Sequence, residues 1–201
     1  MKLTFPNEMK PFVEEILQGE YNIGLNMPKP LIFDIGANVG SFALWAYHRW
    51  PGCKIYCYEP SPSMFEYLKF NLAEFKNIKL YNVAVGNPKY KKLYKGKYNP
   101  GEASFFQLGG QSEEYEIVKI ISPNKLPKKC DILKIDTEGC EVEILVGLKP
   151  REYKAVLLEY HREEDRRKID SILSDYVLVS SKAVWANRGL VKYLHKNAFR
   201  G

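Results

Sequence analysis

One short segment combines an acid with two glycines: Asp34-Ile35-Gly36-Ala37-Asn38-Val39-Gly40. It follows an apolar, β-branched run over residues 31–35 and precedes a helix-like stretch, so it joins a strand to a helix. Ligands of open α/β sheets bind at this end of a strand. Gly36 lets the backbone turn sharply, and Gly40 leaves space for a ligand at the start of the helix. The segment therefore predicts a ligand-binding loop.

The same loop excludes two common kinds of phosphate site. A nicotinamide dinucleotide site has a glycine where Asn38 stands, because the pyrophosphate must approach the backbone there. The Asp34 carboxylate would also repel a pyrophosphate, whereas it would attract an ammonium group. No Gly-Lys-Ser or Gly-Lys-Thr follows the loop, so a Walker-type phosphate loop is excluded as well.

A second acid, Glu59, ends the next predicted strand, 23 residues after Gly36. From that position a carboxylate accepts hydrogen bonds from both hydroxyls of a ribose. Either Asp34 or Glu59 alone is equally well explained as a solvated strand-end carboxylate. Together they flank the loop and favour a ligand that carries both a ribose and a positive charge. S-adenosylmethionine has an ammonium group, a sulfonium, a ribose and no phosphate, so it fits both acids.

Four segments together resemble the successive motifs of FkbM-type methyltransferases, which are class I S-adenosylmethionine-dependent enzymes. The segments are Asp34-Ile35-Gly36-Ala37-Asn38-Val39-Gly40-Ser41, Tyr58-Glu59-Pro60-Ser61, Asn82-Val83-Ala84-Val85-Gly86 and Leu133-Lys134-Ile135-Asp136-Thr137-Glu138-Gly139-Cys140-Glu141. Many methyltransferases share the glycine loop, whereas Ile-Asp-Thr-Glu-Gly-x-Glu is much more specific. The resemblance covers about residues 30–160 and implies O-methylation of hydroxyls in sugars or natural products. It supports the reaction more strongly than the identity of the acceptor.

The resemblance also implies a fold and a set of cofactor contacts. The fold is a Rossmann-like α/β sheet with the strand order 3-2-1-4-5-7-6 and an antiparallel last strand. The third predicted strand leads into residues 82–84, where this architecture holds the adenine ring. The expected cofactor-binding residues are Asp34, Gly36, Ala37, Asn38, Gly40, Ser41, Glu59, Pro60, Ser61, Asn82, Val83, Ala84 and Asp136.

Asp136 and Glu138 follow the fourth predicted strand, which lies beside the first in that strand order. We therefore expect them to border the methyl group that is transferred. A hydroxyl acceptor must lose its proton, which calls for a base. The candidates are Asp136, Glu138 and His161, and His161 has the most suitable unperturbed pKa, about 6.5. His161 is equally well explained as a surface histidine that caps a charged helix.

The same three side chains have an alternative use. Asp136, Glu138 and His161 would suit a hard divalent ion such as Mg²⁺, bound together with hydroxyls of the substrate. We prefer direct catalysis to this alternative and assign no residue as a metal ligand.

Apolar runs and helical patterns alternate along the chain, as in a mostly parallel α/β sheet. We expect a single domain over residues 1–201. The predicted strands are 31–35, 54–59, 78–83, 131–136, 154–160, 176–180 and 190–195. The predicted helices are 7–19, 40–50, one that begins after Ser61, 141–147 and 162–174. Because the last two strands follow each other without a helix, they are predicted to pair antiparallel.

Residues 86–130 form a long insertion between the third and fourth strands, with nine lysines and four glutamates, so it carries +5 of the total charge of +6. Residues 91–95 and 115–121 are predicted to pair as a β-hairpin. Lysines and tyrosines interleave over residues 89–98, a pattern that suits RNA. A solvated hairpin whose lysines protect an exposed edge explains it better. Three residues are predicted to cover the acceptor: Ser104, Phe105 and Phe106.

The composition is that of a globular protein, with 45% hydrophobic and 27% charged residues in a chain of 201. The longest apolar run, residues 42–47, is far shorter than the ~20 residues that span a bilayer. The N-terminus lacks the apolar core of a signal peptide, so we predict a cytoplasmic protein without a membrane partner. Four scattered cysteines favour buried reduced thiols over a zinc site.

Three functions follow from these patterns. The leading hypothesis is methylation of a hydroxyl on a small molecule or carbohydrate. The second is an RNA methyltransferase that uses the lysine-rich insertion, and the third is a non-catalytic nucleoside-binding module. A nicotinamide oxidoreductase is disfavoured by Asp34 and Asn38.

Overall fold

The computed structural model describes residues 3–89, 92–107, 110–148, 153–185 and 187–199. The strands are β1 (Leu31–Ile35), β2 (Lys54–Tyr58), β3 (Ile78–Tyr81), β4 (Ala84–Val85), β5 (Lys92–Gly96), β6 (Gln111–Ile117), β7 (Ile120–Ile121), β8 (Ile132–Ile135), β9 (Ala155–Tyr160), β10 (Tyr176–Trp185) and β11 (Arg188–His195). The helices are α1 (Lys10–Leu17), α2 (Ser41–Arg49), α3 (Pro62–Leu72), α4 (Glu141–Leu148) and α5 (Glu163–Ile172).

Seven strands form the central sheet, in the order β10-β11-β9-β8-β1-β2-β3. Counted along the chain, these seven strands follow the order 3-2-1-4-5-7-6, so the predicted topology is confirmed. β11 is antiparallel to both β9 and β10, while the remaining neighbours pair in parallel. The predicted antiparallel last strand is therefore confirmed as well.

Helices cover both faces of this sheet because both faces are apolar. Ile32 of β1 belongs to a core that includes residues of α1, α2 and α3. The next residue, Phe33, points to the opposite face and packs in a core with α4 and α5. All four residues of β8 are buried. The charged Lys134 in this strand therefore requires a partner inside the protein.

The N-terminal segment packs against the distant antiparallel pair β10 and β11. Its helix α1 lies within the predicted range 7–19, after a short 3₁₀ turn at Asn7–Met9. Lys182 of β10 forms ion pairs with Glu15 and Glu20. Lys192 of β11 donates hydrogen bonds to backbone carbonyls of Glu20 and Asn22. These contacts hold α1 beside the carboxyl-terminal edge of the sheet.

The insertion contains the predicted hairpin, formed by β5 and β6 with Tyr94 opposite Tyr115. Lys91, at the start of the predicted first strand, and Tyr90 lie outside the described residues. The predicted second strand is wrong beyond Ile117. Residues 120–121 instead form β7, which pairs in parallel with β4, because the backbone groups after the third strand also need partners.

Two further boundaries differ from the sequence prediction. The third strand ends at Tyr81, so Asn82 and Val83 belong to the connection to β4. The last pair is longer than predicted, with bulges near Ser180 and Ala183 that let β10 continue past its apolar residues. Within the described part of the chain, no helix is long and apolar enough to cross a membrane. The four cysteines are buried thiols, as predicted.

Candidate active site

The Asp34 carboxylate lies too deep in the sheet to contact a ligand directly. Its side chain is fully buried, and Asp34 pairs in register with Lys134 on the neighbouring strand β8. The Lys134 Nζ lies 3.2 Å from Asp34 Oδ1 and 3.7 Å from Asp136 Oδ2, and it donates to the Gly36 carbonyl at 2.6 Å. The expected contact between Asp34 and a ligand ammonium is therefore corrected, because an internal lysine is the partner of this carboxylate.

Glu59 lies where the sequence predicts it, at the end of β2 beside the glycine loop. The backbone N–H groups of Asn38 and Ser61 each donate to its carboxylate at 2.8 Å. Burial raises the pKa of Glu59 to about 7, against the lowering effect of these two hydrogen bonds. Asn38 adopts a left-handed backbone with φ of +51°, which brings its N–H onto the carboxylate. Glu59 is thus a fixed acceptor facing a cavity.

The two glycines of the loop have structural roles that the sequence did not predict. A Cβ on Gly36 would lie 1.7 Å from the Asp136 carbonyl oxygen, so this glycine lets the loop pass close to the end of β8. A Cβ on Gly40 would lie 3.0 Å from Leu68 and Leu72 of α3. The expected opening for a ligand at Gly40 is corrected, because this glycine allows α2 to pack on α3.

A first cavity, which we call the Glu59 cavity, lies between β2, α3 and the insertion. It is lined by residues that the sequence predicted to bind the cofactor and by others that it did not. The predicted ones are Gly36, Asn38, Glu59, Pro60, Ser61, Ala84 and Asp136. The additional ones include Tyr58, Met64, Val85, Leu93 and Phe105. An apolar slot with one buried carboxylate suits a flat heterocycle joined to a ribose.

Asn82 and Val83, two of the residues expected around the adenine, do not line this cavity. The Asn82 side-chain amide donates to the carbonyls of Glu59 and Pro60, at 2.9 and 3.1 Å. Val83 packs against the core on the side of α4 and α5. Contact of these two residues with the cofactor stays a prediction, and Asn82 supports the backbone that carries Glu59.

The segment after β8 forms a tight turn that presents Glu138. Glu138 has a left-handed backbone with φ of +53°, and Gly139 has φ of +116°. The buried Glu141 Oε1 accepts hydrogen bonds from the backbone N–H groups of Thr137 and Gly139, at 3.1 and 3.0 Å. Ser104 of the insertion donates to the Glu138 carbonyl at 2.6 Å. The strained turn is thus held from both sides, as is common at functional sites.

His161 lies behind Glu138. It lines neither the Glu59 cavity nor a second cavity between α1, the glycine loop and β11. Its Nε2 is 3.0 Å from Glu138 Oε2, and its Nδ1 is 3.3 Å from Glu141 Oε1. Burial lowers the pKa of His161, but these two carboxylates outweigh it and hold the pKa well above the usual value. A role of His161 as base stays a prediction, and in this arrangement Glu138 lies between the ring and the cavities.

Two charged residues that the sequence reasoning did not assign complete this cluster. Glu159, at the end of β9, has its pKa raised to about 8 by burial and by the nearby Asp136 carboxylate. Arg188 reaches in from β11, and its Nη2 lies 3.1 Å from Glu138 Oε1 and 3.3 Å from Glu159 Oε2. Arg188 also lies 3.6 Å from Glu102 of the insertion. Glu159 lies at the end of a predicted strand, which is the signal that marked Glu59, whereas no sequence signal marks Arg188.

A second cavity, which we call the α1 cavity, measures about 380 Å³ and lies between α1, the glycine loop and β11. Ala37 and Ser41, two further residues expected to bind the cofactor, line it. The two cavities share five residues: Gly36, Asn38, Gly101, Asp136 and Glu138. A ligand in one cavity and a ligand in the other would therefore meet beside Asp136 and Glu138.

The insertion reaches this junction with Gly101, Phe105 and Glu102, while Lys92 and Lys95 contact residues of the hairpin itself. Gly101 borders both cavities, and Phe105 lines the Glu59 cavity. Lys95 forms an ion pair with Glu114 at 3.0 Å, and the Lys92 ammonium lies 4.3 Å from the centre of the Tyr115 ring. Hairpin contacts, more than a free basic patch, explain these two lysines.

Comparisons with known proteins identify a family. Residues 34–200 match the family described as Methyltransferase FkbM domain. Methyltransferase sdnD of Sordaria araneosa is 24% identical over 205 residues, which cover 80% of this chain and 79% of sdnD. The 2-O-methyltransferase NoeI of Sinorhizobium fredii is 25% identical over 162 residues, covering 70% of this chain and 67% of NoeI.

A solved structure with the same architecture is that of Aeropyrum pernix fibrillarin in complex with natively bound S-adenosyl-L-methionine. It has a TM-score of 0.56 and 14% identity, over 92% of this chain and 74% of fibrillarin. At this identity the likeness shows the fold, which is the Rossmann-like fold of class I methyltransferases. Because the family match extends over most of the sequence, the chain belongs to the FkbM methyltransferase family.

Proposed function

We propose that the protein transfers a methyl group from S-adenosylmethionine to a hydroxyl of a sugar or another small molecule. The observation that carries this proposal is the junction of the two cavities at Asp136 and Glu138. A donor in the Glu59 cavity and an acceptor in the α1 cavity would be aligned there, and such alignment lowers the barrier to transfer. Family membership supports methyl transfer, and NoeI, named a 2-O-methyltransferase, supports oxygen as the acceptor atom.

The Glu59 cavity has the hydrogen-bonding and apolar groups that S-adenosylmethionine requires. Glu59 would accept both ribose hydroxyls, and Tyr58, Ala84 and Phe105 would surround the adenine. The backbone from Gly36 to Asn38 would lie along the amino-acid part. When bound, the cofactor supplies an electrophilic methyl group on a positively charged sulfur. The protein's own residues must then orient the acceptor hydroxyl and take its proton.

Glu138 is the residue best placed to accept that proton. Glu138 lines both cavities, and its side chain is 11% exposed, whereas that of His161 behind it is 4% exposed. A base within reach of the reacting hydroxyl contributes about 10²–10⁴ in rate. Arg188 and His161 contact the Glu138 carboxylate from two sides, so we assign them as positioning residues. Asp136 borders the transferred methyl group.

The charges around the α1 cavity favour a neutral or cationic acceptor over RNA. Six of its lining side chains are acidic and two are basic. The acidic residues are Glu15, Glu20, Glu102, Asp136, Glu138 and Glu159, and the basic residues are Lys134 and Arg188. Phosphates would be repelled by this excess of carboxylates.

The test is transfer of a radiolabelled methyl group from S-adenosylmethionine to three acceptor sets: neutral glycosides, polyols and short RNAs. We expect label in the glycosides or polyols and none in RNA. Label in RNA alone would overturn the acceptor class. S-adenosylhomocysteine at 100 times its dissociation constant should stabilise the fold by about 2.7 kcal/mol. A melting temperature that this ligand leaves unchanged would overturn the cofactor.

A further inference from the structure

Four side chains that can ligate a metal ion converge beside the α1 cavity. One ligand atom from each of Asp136, Glu138, Glu159 and His161 lies within 4.8 Å of all the others. Donors in one coordination shell are separated by at most two bond lengths, about 4.2 Å for Mg²⁺ and about 5 Å for larger divalent ions. With separations of up to 4.8 Å, the four atoms are spread slightly wider than a Mg²⁺ shell and within the shell of a larger divalent ion, so small side-chain shifts would bring all four around one cation.

The same cluster contains more carboxylates than cationic side chains among the residues that the structure describes. Its carboxylates are those of Glu102, Asp136, Glu138, Glu141 and Glu159. The cations beside them are Arg188 and Lys134, and Lys134 is shared with the buried Asp34. Buried carboxylates without counter-charges are costly. Within the described part of the chain, the carboxylates of this cluster outnumber these cations, and a divalent cation would add two positive charges while His161 gives up its proton to ligate it.

His161 provides a second and independent observation. Its side chain is only 4% exposed, and both ring nitrogens face carboxylates, Nε2 towards Glu138 and Nδ1 towards Glu141. Both contacts are at ion-pair distance, but neither nitrogen makes a hydrogen bond of good geometry with a residue that the structure describes. Buried polar atoms are nearly always hydrogen-bonded, so each exception requires an explanation, such as an ion. A histidine nitrogen that ligates a cation would explain this one.

We propose that Asp136, Glu138, Glu159 and His161 bind one divalent cation of the Mn²⁺ or Mg²⁺ class. Three carboxylates with one imidazole suit Mn²⁺ well, and the absence of a thiolate among these four ligands disfavours soft ions. Arg188 now contacts Glu138 and Glu159, and it would keep Glu102 as its partner when the cation binds.

The position of the site has a consequence for the acceptor, and this step rests on the proposed function. Asp136, Glu138 and Glu159 all line the α1 cavity, so the bound cation would face the acceptor. Hard divalent ions take six or more oxygen ligands. Acceptors that offer two adjacent oxygen atoms, such as vicinal diols, would therefore be preferred.

The test is a titration of the EDTA-treated full chain with MnCl₂, in which the electron paramagnetic resonance signal of free Mn²⁺ is followed. We expect one Mn²⁺ per chain and competition by Mg²⁺. Glu159→Gln and His161→Ala should each weaken the affinity at least tenfold, which is about 1.4 kcal/mol. Glu164→Gln changes an exposed acid of α5 outside the cluster and should leave the affinity unchanged.

Absence of saturable Mn²⁺ binding to the wild-type chain would overturn the proposal, and this result does not depend on how any variant folds. Binding that is equal in the wild type and in a folded Glu159→Gln variant would overturn it as well. The titration contains neither methyl donor nor acceptor. A chain that methylates acceptors without binding Mn²⁺ would therefore refute this inference and leave the proposed function intact.

Discussion

The site has a Glu59 end, formed by the Glu59 cavity, and a Glu138 end, formed by the charged cluster around Glu138. The two ends hold their carboxylates in different ways. At the Glu59 end, one buried carboxylate is fixed by two backbone N–H groups from segments that are close in sequence. At the Glu138 end, the carboxylate is surrounded by side chains from distant segments, including His161 and Arg188. Backbone N–H groups hold the Glu59 carboxylate in one position. The charged side chains around Glu138 can rearrange when a charged group binds.

This difference corresponds to what each end must do in the proposed reaction. The same cofactor is bound in every cycle, so a rigid backbone cradle is sufficient. The acceptor differs between members of a family and must also lose a proton, so its end needs side chains that can change charge. If the two ends act separately, a substitution at one end should leave the task of the other end unchanged.

The largest effect is expected at the Glu138 end. Glu138→Gln keeps the shape of the side chain but removes its ability to take a proton, so kcat should fall about 10²–10⁴-fold. The dissociation constant of S-adenosylhomocysteine should change less than twofold. Radiolabel transfer and calorimetric titration measure the two quantities, with Glu164→Gln as the matched control. A variant that retains more than half of the wild-type kcat would remove Glu138 from its assigned role.

The Glu59 end could be predicted from the sequence because it is built from contiguous motifs. Glu59, Asn38 and Ser61 were all predicted as cofactor-binding residues, and the structure brings them together through adjacent parallel strands. The strand order followed from the family resemblance, and the hairpin from the pattern of residues in the insertion. Roles inside the motifs were less predictable: Gly40 and Asn82 support packing and backbone geometry.

The Glu138 end could be predicted only in part. Asp136 and Glu138 were found because they follow a strand directly. Glu159 joins them through the pairing of β8 with β9, Arg188 through the pairing of β9 with β11, and Glu102 through the insertion. Such contacts depend on tertiary packing, which a local pattern does not encode. Lys134 had a usable signal, since a lysine inside a fully apolar strand implies a buried partner.

A stability effect is expected at the buried ion pair of Asp34 and Lys134, which joins β1 to β8 beneath the site. Lys134→Met leaves the fully buried Asp34 carboxylate without its lysine, and breaking a buried pair in this way costs about 3–5 kcal/mol. Unfolding in urea measures the loss. The double variant Asp34→Asn/Lys134→Met removes the unpaired charge and should recover part of the stability. If Lys134→Met costs less than about 1 kcal/mol, the pair does not stabilise the sheet.

A smaller effect is expected at the Glu59 end. Glu59→Gln removes the negative charge that would accept both ribose hydroxyls, so the affinity for S-adenosylhomocysteine should fall at least tenfold, or about 1.4 kcal/mol. At saturating S-adenosylmethionine, kcat should remain within threefold of the wild type, because the Glu138 end is untouched. Glu74→Gln, which changes an exposed acid beyond α3, is the control. An equal loss of kcat would show that the two ends do not act separately.

The smallest effect is a pH dependence that belongs to the Glu59 end alone. Burial raises the pKa of Glu59 to about 7, with Lys134 lowering it and Asp34 raising it to smaller extents. Only the ionised carboxylate can accept two ribose hydroxyls. The competent fraction is then roughly 10% at pH 6 and 90% at pH 8, so the affinity for S-adenosylhomocysteine should be about tenfold weaker at pH 6.

Glu59→Gln distinguishes this titration from that of the ligand's own amino group. The variant has no carboxyl to protonate, so its affinity should keep only the pH dependence that the ligand itself contributes. The ratio of wild-type to variant affinity, measured by calorimetry from pH 6 to pH 8, should therefore rise with pH and level off above about pH 8. A constant ratio would mean that Glu59 is ionised throughout this range. The hydrogen bonds to Glu59 would then lower its pKa more than burial raises it.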